Sequence, residues 1–437
     1  MTTLTDDREG LLLRELPLDG IEAAAPGSVD ESTRATARSI VDSVRLGGEA
    51  ALRRHATELD GLPPTAPLAM DRADMERVAA TVEPETRALL ERTAGRIRAF
   101  AEAQRGALAA LDVPVPGGRA GHDVVPVEVA GCYAPGGRYP LPSSVLMTAV
   151  TARAAGVERV VVASPRPAPV VVAAAAIAGA DRLLTVGGAQ AVAALAHGVE
   201  GVSEAVDLIV GPGNRWVTAA KQYVFGDVGI DLPAGPSELV VLADRTADPD
   251  LIAADLLAQA EHDPDARTAL ITLEAGLIPE VRAALAARLE TLDTADVARQ
   301  ALRSGFAAVA ATLGEALQAV DALAPEHLQL CLAEPEAARR RLRHHGAAFV
   351  GERSAEVFGD YGAGPNHVLP TGGAARFSGG LSVFNFLRIR SWLRLDEPAA
   401  VAADVEALAR SERLTAHARA AAARVRERGR PRPRSSS

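Results

Sequence analysis

A chain of 437 residues can bury a large core and has room for two or more domains. Hydrophobic residues at 48% and charged residues at 23% describe an ordinary soluble globular protein, while a net charge of −10 and 3% aromatics exclude a general nucleic-acid binder. Two cysteines, Cys132 and Cys331, exclude a disulfide scaffold and suit a reducing cytoplasm.

Asp6 and Asp7 stand where a signal peptide carries base, and the longest apolar run, Ala168 to Ala180, is too short to span a bilayer. The expectation is a soluble, cytoplasmic protein with no membrane partner. Ser28-Val29-Asp30-Glu31 has the form of a capping box, and Ile40, Val41 and Val44 predict a helix that Gly47-Gly48 stops. A second helix is predicted from about Glu83 to Arg105, with Leu90, Ile97 and Ala101 on its apolar side. This region reads as packing, without chemistry.

From Asp123 short β-branched runs alternate with alanine-rich helical stretches. Strands are predicted at Val124–Val129, Val160–Val162, Leu183–Val186 and Leu208–Val210, and helices at Ser143–Ala155, Ala168–Ala178, Ala189–Ala196 and Arg215–Val224. This alternation predicts a parallel sheet with helices on both faces. Glycines lie just beyond the strand ends, at Gly136-Gly137, Gly187-Gly188 and Gly211-Pro212-Gly213-Asn214. Ligands bind at such ends, yet no G-x-G-x-x-G occurs there, so turn residues and a ligand cradle are equally good readings.

After a turn-rich segment, Gly229 to Glu238, a strand is predicted at Leu239–Leu242. Asp248-Pro249-Asp250 then offers an N-cap, a proline at the first helical position and acid in the first turn. Ile252, Leu256 and Gln259 follow at helical spacing, and Pro264 disfavours helix at Asp263. Gln259 and His262 are thus i,i+3 neighbours at a helix C-terminus. They can supply two ligands to a metal; alternatively, His262 satisfies a terminal carbonyl.

A strand is predicted at Thr268–Leu273, and Pro279 to about Leu323 reads as mostly helical and chemically silent. Leu328, Leu330 and Leu332 alternate, placing Glu326 and His327 at the start of a strand, pointing to opposite faces and so flanking a substrate rather than pairing. Cys331 inside this run reads as inert packing. After a strand at Ala347–Val350, the stretch Gly359 to Gly373 holds five glycines and two prolines, a fixed loop carrying Asp360 and His367. From Pro398 the chain reads as helical, with Val401, Val405 and Leu408 as a stripe. His417 lies five residues beyond Glu412, about 140° around a straight helix, so a pocket shared by both needs a break in that helix. The basic tail after Arg424 reads as solvated low-complexity chain.

Together these segments resemble histidinol dehydrogenases. The matching stretches are Tyr133-Ala-Pro-Gly-Gly, Val186-Gly-Gly-Ala-Gln190-Ala, Gly211-Pro-Gly-Asn214, Asp231-Leu-Pro-Ala-Gly-Pro-Ser237-Glu and Gln259-Ala-Glu-His262. Pro325-Glu326-His327-Leu, Gly359-Asp360-Tyr, Asn366-His367-Val-Leu-Pro-Thr and Glu412-Arg-Leu-Thr-Ala-His417 follow, in family order from about residue 28 to 420. The resemblance implies oxidation of L-histidinol to L-histidine with two molecules of NAD, through an aldehyde and its hydrate, as the last step of histidine biosynthesis. It implies one zinc ion per subunit on Gln259, His262, Asp360 and His417. His327 would be the base of both oxidations and a substrate contact, and Glu326 the activator of water. Ser237, Gln259, His262, Asp360, His367, Glu412 and His417 would contact substrate. Tyr133, Gln190 and Asn214 would hold NAD, with Tyr139 a second candidate for the tyrosine.

The fold implied is α/β: two doubly wound, incomplete Rossmann-like domains with small terminal helical extensions. Residues 1–27 would be an N-terminal extension, 28–130 with 238–378 a first domain carrying the catalytic and zinc residues, and 131–237 an NAD-binding domain. Residues 379–437 would form a C-terminal helical segment swapped in a homodimer, so that Glu412 and His417 reach the partner's site. Two other readings remain: a sister dehydrogenase of another primary alcohol, and a non-catalytic zinc- or nucleotide-binding relative.

Overall fold

The computed structural model describes residues 12–21, 29–136, 139–232 and 235–425. Ser28 and the tail beyond Val425 lie outside these. The described chain forms two compact units, one of residues 1–105 with 127–386 and a smaller one of 106–126 with 387–437.

The larger unit contains two six-stranded sheets. The first runs, edge to edge, Arg14–Glu15, Phe306–Val309, Arg267–Thr272, Glu238–Ala243, His327–Cys331 and Ala347–Val350, all parallel. It is covered on both sides, because side chains alternate across a strand. Leu239, Val241 and Ala243 pack with the helices Pro249–Ala260, Leu277–Leu289 and Ala295–Ser304. Val240 and Leu242 pack with the helix Leu313–Leu323 on the opposite face. Cys331 is buried in the first of these cores, and burial pushes its thiol up to about 12, as it does that of Cys132, so both are inert packing groups.

The second sheet runs Ala69–Asp71, Arg182–Leu184, Arg159–Ala163, Val129–Tyr133, Leu208–Val210 and Gly229–Ile230, parallel except for the first strand. Its helices Gly188–His197 and Arg215–Val224 and the long helix Glu31–Leu59 share one core with Val129, Val161, Leu184 and Ile209. In both sheets the chain winds outward from one strand and then returns to its other side. This creates a switch point between Glu238–Ala243 and His327–Cys331 in one sheet and between Val129–Tyr133 and Leu208–Val210 in the other.

Several expectations are corrected. The helix predicted to stop at Gly47-Gly48 is kinked there, with Gly48 at φ 55°, and continues to Leu59. Its N-cap is Asp30, whose side chain accepts from Thr33 N–H at 2.8 Å. This helix and Ala69–Asp71 belong to the second sheet, not to a first domain of 28–130, because the buried face bearing Ala37, Val41 and Val44 fits that sheet's core. Likewise Arg14–Glu15, placed in an N-terminal extension, forms the edge of the first sheet. The strand Phe306–Val309 lies within the segment read as helical; its four residues are too short a run to show a period. The predicted strand Val124–Val129 spans the end of one strand, Gly118–Pro126, and the start of another, Val129–Tyr133, in different sheets.

The smaller unit is not purely helical. Leu387–Leu395 pairs antiparallel with Gly118–Pro126, which pairs with Leu111–Val115. The helices Ala399–Ser411 and Thr415–Ala423 follow, separated by a break at which Arg413 takes φ 61°. Val405 and Leu408 of the expected apolar stripe are 47% and 63% exposed. Among the described residues no helix is long and apolar enough to cross a membrane.

Candidate active site

The chemistry-bearing side chains of the first sheet gather at the amino ends of its strands. His327 opens the strand His327–Cys331, in register with Leu239 and Ala347, and is 3% exposed. Its Nδ1 lies 3.2 Å from the carbonyl oxygen of Glu238. A carbonyl only accepts, so Nδ1 carries the hydrogen and Nε2 carries the lone pair. Nε2 is buried without a hydrogen-bond partner, 3.7 Å from Asp360 Oδ1. Burial lowers the imidazole to about 4, against the pull of Asp360, so the ring is neutral near pH 7. This is the state a proton acceptor requires.

Glu326 precedes His327 and is also buried; its Oε2 accepts from Glu238 N–H at 2.9 Å. Burial, with the charges of Glu238 and Asp360, raises its carboxyl well above the usual range. The expectation that Glu326 and His327 stay apart is corrected: Oε2 comes within 3.7 Å of His327 Nδ1. Glu326 stands before the strand begins, where strict alternation does not hold, and Glu238 binds both residues through its backbone.

A helix running back along the sheet brings its C-terminus to the same end. Pro249–Ala260, capped by Asp248, carries Gln259 on its buried side and His262 just past its last turn. Gln259 is fully buried, and neither Oε1 nor Nε2 has a hydrogen-bond partner. His262 Nε2 lies 3.5 Å from Asp360 Oδ2, and this contact raises its pKa. Asp360 ends the short helix Glu356–Asp360. Burial opposes its charge, yet the neighbouring imidazoles of His262, His327 and His367 hold its carboxyl below the ordinary value. His367 is fixed by Nδ1 against the Asp360 carbonyl at 3.0 Å and by Nε2 against Ser144 Oγ at 3.4 Å. Ser237 lies immediately before the strand Glu238–Ala243, and its carbonyl accepts from Arg267 N–H at 2.9 Å.

Sequence reading missed three participants. Glu238 supplies the backbone that orients both Glu326 and His327, and its position inside the quoted Asp231–Glu238 stretch was the available signal. Glu356 was signalled by its four-residue spacing to Asp360, and its Oε1 lies 3.5 Å from His327 Nδ1. Ser144 carried no signal.

The residues expected to hold NAD sit at the carboxyl ends of the second sheet. Tyr133 closes its strand, is 3% exposed, and its hydroxyl accepts from Gly188 N–H at 3.1 Å. Gln190 donates to Asp60 Oδ2 at 3.0 Å, and the same oxygen accepts from Gly187 N–H at 2.9 Å. Asn214 caps Arg215–Val224 by accepting from Trp216 and Val217 N–H. Gly211 stands at φ 115°, where a Cβ would meet the Tyr133 carbonyl oxygen at 2.0 Å, so glycine is required there for packing alone. Tyr139 is 59% exposed. Glu412 and His417 belong to the smaller unit: both are exposed, Glu412 at the end of one helix and His417 in the first turn of the next. The helix break that a shared pocket would need is therefore present between them.

A family model described as histidinol dehydrogenase matches residues 24–425. The histidinol dehydrogenase of Cereibacter sphaeroides is 48% identical over 391 residues, covering 88% of this chain and 90% of that one. That of Thermus thermophilus is 45% identical over 397 residues, covering 90% and 94%. Among solved structures, histidinol dehydrogenase from Elizabethkingia anophelis superposes with a TM-score of 0.86 at 29% identity, covering 97% of this chain and 96% of that one. The chain belongs to the histidinol dehydrogenase family.

Proposed function

We propose that this protein oxidises L-histidinol to L-histidine through the aldehyde and its hydrate, with two NAD per turnover and one zinc ion per subunit, as the cytoplasmic last step of histidine biosynthesis. The observation that carries the reading is His327: a neutral, buried imidazole whose lone-pair nitrogen is unpartnered and faces the Asp360–His262 cluster.

The residues fit a zinc ion. Gln259 has a buried amide with no partner for either polar atom, a burial that costs about 1–3 kcal/mol unless something else satisfies it. Ring nitrogen and carboxylate oxygens of His262, Asp360 and their neighbour Glu356 lie within 4.8 Å of one another. Glutamine is an unusual zinc donor, but imidazole and carboxylate are ordinary ones. Gln259, His262 and Asp360 would hold the ion, with His417 supplied by the partner subunit of a homodimer. When bound, zinc supplies an anchor for the neutral imidazole and amino nitrogens of histidinol, a template role. Ser237, His367 and the partner's Glu412 would complete the substrate's surroundings.

The second sheet fits NAD by topology. Tyr133 and Asn214 flank its switch point, the ordinary place for a dinucleotide, and Gln190 opens the helix beside them. When bound, NAD accepts the hydride of each oxidation.

His327 Nε2 takes the hydroxyl proton from the alcohol, and again from the hydrate. Its hydrogen bond through Nδ1 to Glu238 keeps the lone pair on the side facing substrate. Glu326, a carboxylate made more basic by burial, draws the proton from the water that adds to the aldehyde. Between the two oxidations both residues must return their protons to solvent.

The direct test is the yield of NADH per histidine formed, expected at two and abolished by chelation. No turnover of histidinol, with turnover of another primary alcohol, would replace this substrate by that of a sister dehydrogenase. Mixing a His327→Asn chain with a His417→Asn chain should restore part of the activity that each lacks alone. No restoration would refute sites shared across a dimer.

A further inference from the structure

Lysine and arginine together number 46 in this chain, and Lys221 is the only lysine. It is buried, at 2% exposure, on the helix Arg215–Val224. On a solvated surface an ammonium and a guanidinium serve alike, and everywhere else the chain uses arginine. Inside a core they differ, because a compact charge with three rotatable donors fits where a planar fork does not. The single position that has lysine is therefore one where the shape of the cation decides.

The Lys221 ammonium donates to the carbonyl oxygen of Gly211 at 3.0 Å and pairs with Asp231, whose side chain is wholly buried. Asp231 Oδ2 accepts from Gly211 N–H at 2.7 Å, and Oδ1 accepts from Leu232 N–H at 2.6 Å. The pair thus grips both polar groups of one residue, the glycine that follows the strand Leu208–Val210 at the switch point. Gly211 opens the turn Gly211-Pro212-Gly213-Asn214. The far end of this turn is fixed as well, because Asn214 Oδ1 accepts from Trp216 and Val217 N–H. That cap engages the oxygen of the Asn214 side chain, so its amide nitrogen is the part left for a ligand. A buried ion pair is weak evidence of stability, since apolar residues of similar volume often do as well. What it supplies that they cannot is a fixed orientation of the two peptides flanking Gly211.

We propose that Lys221 and Asp231 are positioning residues for the cofactor: without touching NAD, they fix the turn that presents Asn214 to it. The inference rests on the NAD reading above. Gly211 stands at φ 115° and has no side chain to restrain it, so the pair is what holds the start of the turn in place. The competing reading is that the pair only secures the edge strand Gly229–Ile230, which ends beside Asp231.

The two readings part when stability and NAD affinity are measured on the same full-length chains. Lys221→Met/Asp231→Leu replaces the pair by apolar groups, and Lys221→Arg keeps the charge but changes its shape. Urea unfolding gives the stability of each, calorimetric titration its dissociation constant for NAD, and steady-state rates its kcat and KM values. The expected result is a loss of NAD affinity of at least about tenfold in the double variant, and a smaller loss in Lys221→Arg. The double variant should unfold close to the wild-type midpoint, with kcat at saturating NAD and KM for histidinol within about twofold of wild type. Unchanged NAD affinity in a folded double variant would overturn the proposal. If the double variant does not fold, unchanged affinity in Lys221→Arg would do the same. A joint fall of midpoint, kcat and histidinol binding would also overturn it, by making the pair part of the frame alone. If the wild-type chain binds no NAD, the cofactor reading itself fails and this inference with it.

Discussion

The two sheets of the larger unit share a winding order but place their polar groups at opposite ends and in opposite condition. At the carboxyl ends of the second sheet the side chains expected to hold NAD already have protein partners, and among the described residues there Ser164 Oγ is a buried exception: Tyr133 takes Gly188 N–H, Asp60 takes Gly187 and Gln190, and Asn214 caps its helix. The buried Lys221 bridges Asp231 and the Gly211 carbonyl, and Asp231 in turn accepts from Gly211 N–H. At the amino ends of the first sheet the pattern reverses. Gln259, His327 Nε2 and Glu356 Oε2 are buried and unpartnered, and acids crowd one another. A satisfied network builds a rigid frame; an unsatisfied one is waiting for something to satisfy it. On the function proposed above, the first would frame the cofactor and the second would receive the ion and the reacting group.

The contrast can be broken at four places. The largest effect is expected at His327: replacing it by Asn should lower kcat by ~10²–10⁴-fold while zinc content stays at the wild-type value. Loss of metal together with activity would make His327 part of the frame instead. On the saturated side, Lys221→Met leaves the buried Asp231 with its backbone donors but without its counter-ion, and should destabilise the fold by about 3–5 kcal/mol in urea unfolding. Adding Asp231→Leu should recover most of that loss; if the single variant is neutral, the network does not hold the Gly211 and Asp231 turns together.

On the unsatisfied side the sign reverses. Gln259→Leu removes two orphaned polar atoms, so the metal-free chain should gain about 1–3 kcal/mol in thermal or urea unfolding, while binding zinc more weakly. A metal-free variant less stable than wild type would mean that the amide already has a partner. The smallest effect concerns Asp255, on the buried side of the same helix, where burial and the nearby charge of Glu352 raise the carboxyl to about 6. Its folded value lies above the unfolded one, so the native state binds more protons between the two, and stability falls as pH rises through about 4 to 6. Asp255→Asn should therefore raise the melting temperature at pH 8, by on the order of 1–2 kcal/mol of stability, and change little at pH 4. An equal change at both pH values would exclude ionisation as the cause.

Much of this was legible in the residues. The helix Pro249–Ala260 follows from Asp248, Pro249 and the apolar spacing of Ile252 and Leu256, and the helix Arg215–Val224 has the bounds expected from the sequence, to which the structure adds Asn214 as its cap. Long apolar periods and capping side chains are local signals, and local signals survive in a linear string. The strand Phe306–Val309 and the pairing of Leu387–Leu395 were not legible, because short strands owe their existence to neighbours distant in sequence. Ser144 reaches His367 across 223 positions, and no spacing rule spans such a gap.

The sequence by itself determined the family, most of the longer helices and strands and most of the chemistry-bearing side chains, since these depend on residue identity and on order along the chain. Only the tertiary structure decided that the reactive groups meet at the amino ends of the first sheet, that His327 keeps its lone pair on Nε2, and that Glu356 stands with Asp360 and His262. The physical reason is burial. Which polar atom is paired and which is stranded depends on what folds against it, and this is the property that separates the site from the frame around it.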